Sequence, residues 1–483
     1  MDSCIIKNNK RINLLDIPTV EIEKLRAYLS ATNLRPIAFF GSDWGSATKL
    51  FVALADDEKG EVILSSSLID KEVKAYESIT KDNYQYHMFE REFYEQFGIE
   101  PIGHPWLKPV RKNLDNYEFF SMEGEELHEV AVGPIHAGVI EPGHFRFSCQ
   151  GEKVYNLEIM LGYQHRNCES LMIKRPSVQL AESICGDSVI AYGLCYCQVI
   201  EELSGTKITN KAKIIRRIGL EMERIAIHIG DLGAILGDIA YLMGKEVFAV
   251  VRTLVINTML EISGSRFGRG LIVEGGVNFD INRELSKKIV NTLDNVKRAV
   301  ENMTKAALKS STVMSRLEKT GSLNKETAQE INIVGLIGRS CGIELDSRFD
   351  FLDEFYCDCK IKPFKATNDA YSRFRIRYKE IIDSISIIKK LLKKLEQFEN
   401  EETKVELNPL IPNSFALSIV ESWRGELVQA ATTNDKAELS RYKIKDPSFN
   451  NWFGLALALR NNGISDFPLC NKGFDLSYCG FDL

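Results

Sequence analysis

Three absences narrow this sequence before any motif is read. No two of its eleven cysteines stand at the CxxC spacing; the near pairs, Cys195-x-Cys197 and Cys357-x-Cys359, are one residue too close. A four-thiolate site draws two sulfurs from each of two short loops, and a two-residue step on a helix points side chains apart. A zinc or iron–sulfur site made by this chain alone is therefore not expected. No run of eighteen apolar residues occurs, because the most apolar helical stretch, residues 247–262, is broken by Arg252, Thr253 and Asn257. A membrane-spanning helix is excluded on that ground, but docking on a membrane protein is not. Neither GxGxxG after a strand nor GxxxxGK is present, which removes the two common phosphate-cradling loops. The glycine-rich stretch from Arg266 to Gly276 reads instead as turns.

Positive charge is not in excess. Sixty-one Lys and Arg against 67 Asp and Glu leave a net charge of −6, so nucleic-acid binding is not indicated. The opening MDSCIIKNNKRINLL has no apolar h-region. With an odd cysteine count and no disulfide framework, a reducing, cytoplasmic setting is expected. A chain of 483 residues, 44% hydrophobic, has room for two or three domains around a large core.

Histidine is scarce too, yet four of the seven (His128, His136, His144, His165) gather within forty residues, just ahead of Cys185, Cys195 and Cys197 on an apolar segment. His and Cys in proximity suit metal or proton chemistry; taken singly, each is more often a packed core residue. His136 and His144 flank Glu141 in a Gly/Pro-rich hairpin, where imidazoles can relay protons. Glu201 and Glu202, closing an apolar helix, are a second candidate pair.

The fold expected is α+β. A helix over 17–31 and strands at 36–41, 49–55 and 61–66 predict an antiparallel sheet beside a helix, followed by an aromatic amphipathic segment over 84–98. Residues 1–125 are expected to form a small α+β module, and 126–483 a mainly α-helical domain with a small β-hairpin sheet from strands at 129–140, 144–149 and 154–159. Residues 210–243 are expected to form one long helix whose polar residues Glu221, Arg224, His228 and Asp231 share a face, either solvated or buried and paired internally. Further helices are expected over 283–309 and 368–396. From residue 412 short segments and tight turns follow, and the apolar terminus DFPLCNKGFDLSYCGFDL is expected to be buried.

Two groups of residues resemble known families. Phe89-Glu-Arg-Glu-Phe-Tyr-Glu-Gln-Phe-Gly-Ile99 with Gly103-His-Pro105 is similar to the 30 kDa subunit of respiratory complex I. Gly133-Pro-x-His136, Arg146, Gly151-Glu152, Gly162-Tyr-x-His-Arg166 and Glu169 resemble the 49 kDa subunit, which is homologous to the [NiFe] hydrogenase large subunit. Arg217-x-Gly-Leu-Glu-Met-Glu-Arg224, Gly264-x-Arg-Phe267, Gly275-Gly-Val277, Arg339-x-x-Gly342 and Arg424-Gly-Glu426 extend that likeness. The fusion of both, in this order, resembles the large subunit of formate hydrogenlyase and the membrane-bound, energy-converting (group 4) hydrogenases.

The resemblance implies an oxidoreductase subunit, cytoplasmic and peripheral on the inner face of the cell membrane. Its implied partners are a small subunit with a [4Fe–4S] cluster and antiporter-like membrane subunits. It implies electron transfer coupled to ion translocation; NAD is handled by another subunit in the family. Hydrogenases of this class hold nickel and iron through RxCGxC and DPCxxC. Here the first motif reads Ser183-Ile-Cys185-Gly-Asp-Ser188 and the second Asp466-Phe-Pro468-Leu-Cys470. Cys185 and Cys470 are degenerate ligand positions, and no nickel–iron centre is expected. In complex I the same cavity takes a quinone, held by a hairpin histidine and a tyrosine whose place is Gly186 here. The candidate catalytic residues are His136, His144, Asp187 and Ser188, and the candidate cofactor-binding residues His136, Gly186 and Arg166. A non-catalytic scaffold, or a hydrogenase with unusual ligands, are the alternatives.

Overall fold

A computed structural model describes residues 2–112, 114–135, 141–351, 353–356 and 364–483. Its first element is an antiparallel sheet in the order Cys4–Lys7, Glu61–Asp70, Ala47–Asp56, Arg35–Trp44. The helix Ile22–Ala31 packs beside it through Leu25 and Leu29, and begins five residues later than expected because Pro18 and Thr19 are held by Ser66. The aromatic segment forms the helix His87–Phe97, ended by Gly98 in the left-handed conformation. Phe39 meets Phe93 edge-on at 5.7 Å.

The N-terminal block is not closed on itself. Lys10–Asn13 pairs with Ser414–Glu421, completing a second four-stranded sheet with Glu426–Thr433 and Leu439–Lys445. The two sheets share one core, in which Phe40, Phe51, Phe415, Leu417 and Val428 are all buried. Arg35 bonds Asp57 on one side and, through two nitrogens at 2.9 and 2.8 Å, Glu426 on the other; Lys445 reaches the same carboxylate. This buried sheet of 414–445 is the element that short segments and tight turns did not anticipate.

Charge also joins the regions. Lys443 holds Glu92 at 2.6 Å and Glu169 at 2.9 Å, and Arg441 reaches Glu169 at 3.0 Å. Burial alone would raise the Glu169 carboxyl, but Lys443, then Arg441 and Arg111, outweigh it and hold it at about 2. Its folded value thus lies below the unfolded one, so its contribution is complete above about pH 4.3 and is lost as pH falls through about 2. Urea midpoints measured from pH 5 to pH 2 should therefore decline, and Glu169→Gln should make that decline shallower.

The three-stranded sheet Lys153–Met160, His144–Gln150, Leu127–Val132 leads into the helical body, Val178–Ile184, Val189–Ser204, Asn210–Asp238, Leu242–Ser263, Arg283–Ala307 and Ala370–Leu395. The apolar stripe Ile214, Ile218, Ile225, Ile229, Leu232, Leu236 is fully buried. The long helix stops earlier than expected. Ala240 takes a φ of 63°, and Tyr241 N–H donates back to the Leu236 carbonyl at 2.8 Å, the six-to-one closure of a helix end. Periodicity continues across this break into the next helix, so the pattern alone could not show it. No helix among the described residues is long and apolar enough to cross a membrane.

Candidate functional site

The segment Ser183-Ile-Cys185-Gly-Asp-Ser188 is the turn between two helices. Cys185 caps the end of Val178–Ile184 and Ser188 the start of Val189–Ser204, with the Ser188 amide donating to the Cys185 carbonyl at 3.2 Å. Gly186 is exposed, and a side chain placed there would meet open space. The Cys185 thiol donates to Asp187 Oδ1 at 3.1 Å. Arg424 clamps both oxygens of Asp187 at 2.6 and 2.8 Å and approaches Cys185 Sγ at 3.6 Å. Burial pushes the Asp187 carboxyl up, but the guanidinium outweighs it and leaves it below the usual carboxylate range.

The second thiol at this turn comes from the C-terminal segment. Ser477 Oγ lies 3.5 Å from Cys185 Sγ and 2.7 Å from Cys479 Sγ. Cys479 also meets Tyr192 OH at 3.4 Å and Asp446 Oδ2 at 3.5 Å, and Tyr192 OH donates to Asp446 at 2.6 Å. Burial first, then its acidic and sulfur neighbours, pushes the Cys479 thiol well up. The result is a buried row of polar groups, Cys185, Ser477, Cys479, Asp446 and Tyr192, beside the exposed Gly186.

Arg424 is placed by the polar face of the long helix. Glu221, Arg224, His228 and Asp231 are all buried, so the internal-pairing alternative is the one realised. Arg224 donates to the carbonyls of Glu421 and Ser422 at 2.6 and 3.0 Å, fixing the turn that carries Trp423 and Arg424. Glu221 accepts from Arg348, Tyr356 and Ser384. Glu380 accepts from His228 at 2.9 Å and from Arg339 at 2.9 Å. Desolvation dominates at His228 and takes its imidazole down to about 4, so it is neutral at pH 7 and donates through Nε2. Arg377 holds Asp231 at 2.9 Å. Behind the turn, Gly335 and Gly425 touch backbone to backbone: a Cβ on Gly335 would stand 2.1 Å from the Arg424 carbonyl oxygen.

Two family models match parts of the chain. The model of the 30 Kd subunit of respiratory-chain NADH dehydrogenase matches residues 20–121. That of the 49 Kd subunit matches residues 238–410. The chain thus carries fused 30 kDa-like and 49 kDa-like complex I domains. The membrane-bound hydrogenase subunit alpha of Pyrococcus furiosus is 29% identical over 364 residues, covering 72% of this chain and 85% of that protein. Formate hydrogenlyase subunit 5 of Escherichia coli is 27% identical, covering 80% and 74%. One of the NADH-quinone oxidoreductase subunits of Phocaeicola vulgatus is 23% identical, covering 84% and 86%. A solved archaeal respiratory membrane complex, the membrane-bound sulfane sulfur reductase, has a chain that superposes with a TM-score of 0.67 at 20% identity; the match covers 74% of this chain and 99% of that one.

Several residues singled out in the sequence are engaged by neighbouring groups in this fold. Glu90 accepts four hydrogen bonds from Ser78, Ile79 and Thr80. Glu201 is held by Arg216 at 2.6 and 2.9 Å, which makes it a structural partner. Arg166 donates to the carbonyls of Ser183 and Ile184, bracing the Cys185 turn from outside. The fold brings Asp187, Ser188, Gly186 and Cys185 together. His136 lies outside the described residues. His144 opens its strand with its ring 4.8 Å from Phe119.

Cys470 requires a correction. Its sulfur packs against Gly321 and Arg373, and burial pushes its thiol up to about 11; it shares no partner with Cys185. The thiol that reaches the site is Cys479. Its sequence signal is Asp475-Leu-Ser477-Tyr-Cys479, which is nearly as close to DPCxxC as the Asp466 segment that carries Pro468. Arg424, Asp446 and Tyr192 come from three separate elements and left no local pattern. Gly338-Arg-Ser-Cys-Gly342 has the spacing of a nucleophile elbow, but Ser340 is fully buried and donates to the Ile337 carbonyl. Among the described residues no group of three or more His, Cys, Asp or Glu is arranged to hold a metal ion.

Proposed function

We propose that this chain is the large subunit of a membrane-associated, complex I-like redox complex related to formate hydrogenlyase, taking part in electron transfer coupled to ion translocation without a nickel–iron centre. The observation that carries the reading is the thiol inventory at the Cys185 turn. Two sulfurs, Cys185 and Cys479, approach each other across the Ser477 hydroxyl. A nickel–iron centre of the related hydrogenases takes four thiolates, and a hydroxyl is a poor substitute for a soft ligand. The Asp187–Arg424 clamp occupies the space beside Cys185. This donor set does not fit that centre.

What the turn offers is proton chemistry beside the exposed Gly186. Asp187 is held ionised, and Cys185, Ser477, Cys479 and Tyr192 form a hydrogen-bonded row. An acceptor seated at Gly186 would draw its protons from that row, with electrons arriving from a [4Fe–4S] cluster of a small partner subunit. Antiporter-like membrane subunits would lie below, with this subunit peripheral on the inner face. The names of the relatives, hydrogenase and quinone oxidoreductase subunits of membrane complexes, support such an assembly. A quinone acceptor is the second reading, supported by the NADH-quinone oxidoreductase subunits among the relatives.

The test is elemental analysis and hydrogen assay on the complex purified with this chain. Nickel should fall well below one equivalent per chain, and no hydrogen should form from a reduced viologen dye. One nickel per chain together with hydrogen evolution would overturn the proposal.

A further inference from the structure

Among the described residues, Cys185 and Cys479 are the two thiols that share a hydrogen-bond partner. Ser477 Oγ lies 3.5 Å from the sulfur of the first and 2.7 Å from the sulfur of the second. The Cys185 side chain is itself a hydrogen-bond neighbour of Cys479. Both are free thiols, and both are buried. Other cysteines look elsewhere: Cys195 turns to Ser418 and the Leu427 carbonyl, and Cys4 to the Leu64 carbonyl.

The two thiols are not equivalent. Arg424 Nη1 donates to Cys185 Sγ at 3.6 Å, and a guanidinium beside a sulfur favours the negative charge that builds on it as it attacks. Cys185 is also one residue from the exposed Gly186. Cys479 faces Ser477, Tyr192 and Asp446 instead, and burial pushes its thiol well up. Cys185 thus has the surroundings of an attacking sulfur, and Cys479 those of a resolving one. The backbone on both sides of Cys479 is pinned. Trp452 Nε1 donates to the Ser477 carbonyl at 2.9 Å, the Ser477 amide donates to Ser448 Oγ at 2.9 Å, and Arg111 donates to the Gly480 and Phe481 carbonyls. Joining the sulfurs therefore falls to side-chain rotation past the Ser477 hydroxyl.

We propose that Cys185 and Cys479 are an oxidation site, which a small hydroperoxide converts to a disulfide that ties the C-terminal segment to the Cys185 turn. Hydrogen peroxide is little larger than water, which suits a sulfur that is buried yet next to exposed backbone. The Cys185 sulfur attacks one peroxide oxygen and the O–O bond breaks. The leaving hydroxide takes the Cys185 proton as water, and a sulfenic acid remains. Cys479 then attacks that sulfur, the S–O bond breaks, and a second water leaves with the Cys479 proton. Two electrons pass from the sulfurs to the peroxide. The new bond removes the hydrogen bond from the Cys185 thiol to Asp187. It also closes a long loop, which restricts the unfolded chain. If the row supplies protons as proposed above, oxidation interrupts that supply; this consequence rests on that reading, whereas formation of the bond does not.

The experiment treats the folded full chain with hydrogen peroxide, blocks the remaining thiols, digests the protein and identifies linked peptides by mass spectrometry. A peptide pair joined through Cys185 and Cys479 is expected, and dithiothreitol should separate it again. Cys479→Ser should leave Cys185 as a sulfenic acid that dimedone traps, and Cys185→Ser should leave Cys479 unoxidised. The urea midpoint of the oxidised wild-type chain should exceed that of the reduced one, and the difference should vanish in both variants. Peptide mapping of the wild-type chain needs neither variant to fold. A treated wild-type chain without the joined pair, a pair that forms only once the chain is unfolded in urea, or equal linkage of Cys185 to other cysteines would each overturn the proposal.

Discussion

Gly335→Ala should cost at least about 4 kcal/mol, in the range reserved for failures of buried architecture. Gly335 has a φ of 67°, which an alanine tolerates at a cost of about 1–2 kcal/mol. The larger part comes from contact. A Cβ there would lie 2.1 Å from the Arg424 carbonyl oxygen and 2.3 Å from the Gly425 Cα, and neither is the movable end of a side chain. The turn carrying Arg424 would have to retreat, taking the guanidinium away from Asp187 and Trp423 Nε1 away from the Asp187 carbonyl. Gly45→Ala is the control: its φ is 71°, but nothing lies within 4 Å of the added carbon, so only the conformational cost applies. Equilibrium urea unfolding of the two variants reads the difference directly. Equal losses would show that the two backbones do not touch.

Glu380→Leu should remove about 3–5 kcal/mol, the usual result of deleting one member of a buried ion pair. Glu380 is 2% exposed and serves Arg339 and His228, with Arg224 at 3.4 Å. Without it two guanidinium groups keep their charge in the protein interior, facing fewer carboxylates. Much of the loss is the desolvation of those orphaned cations rather than the worth of the bonds themselves. Replacing Glu301, which meets Lys297 on the surface, should by contrast leave the midpoint nearly unmoved. The same comparison asks whether the polar face of the long helix positions the site: loss of the Arg339–Glu380–Arg224 connection should also loosen the Trp423–Arg424 turn, which quenching of Trp423 fluorescence would register.

That polar face shows what the sequence could and could not disclose. The spacing of Glu221, Arg224, His228 and Asp231 put them on one side of a helix, but their partners Arg348, Glu380 and Arg377 lie more than a hundred residues away. Helical period is a local property and pairing across the core is not, so the choice between solvated and buried stayed open until the fold closed. The early strands and the aromatic helix were legible because alternation and amphipathicity both follow burial on one face. The sheet formed by residues 414–445 was harder to read: it is buried on nearly every position, and continuous burial erases the alternation that betrays a strand.

At the site, the Cys185 turn could be found from its motif, since its members are neighbours in sequence. Cys479 could not be chosen over Cys470 by spacing, as both follow an aspartate within a few residues. What separates them is the path of the last residues. Arg111 donates to the carbonyls of Phe481 and Gly480 and so draws the terminal segment toward the Cys185 turn.

The pairing of Lys10–Asn13 with Ser414–Glu421 has a consequence for biosynthesis. Some four hundred residues separate the partners, so Lys10–Asn13 must stay unpaired until the strand Ser414–Glu421 has left the ribosome. Contacts of such long separation are slow to form, and an open strand edge invites association in the meantime. Nascent chains of this protein should therefore lean on chaperones for most of their synthesis.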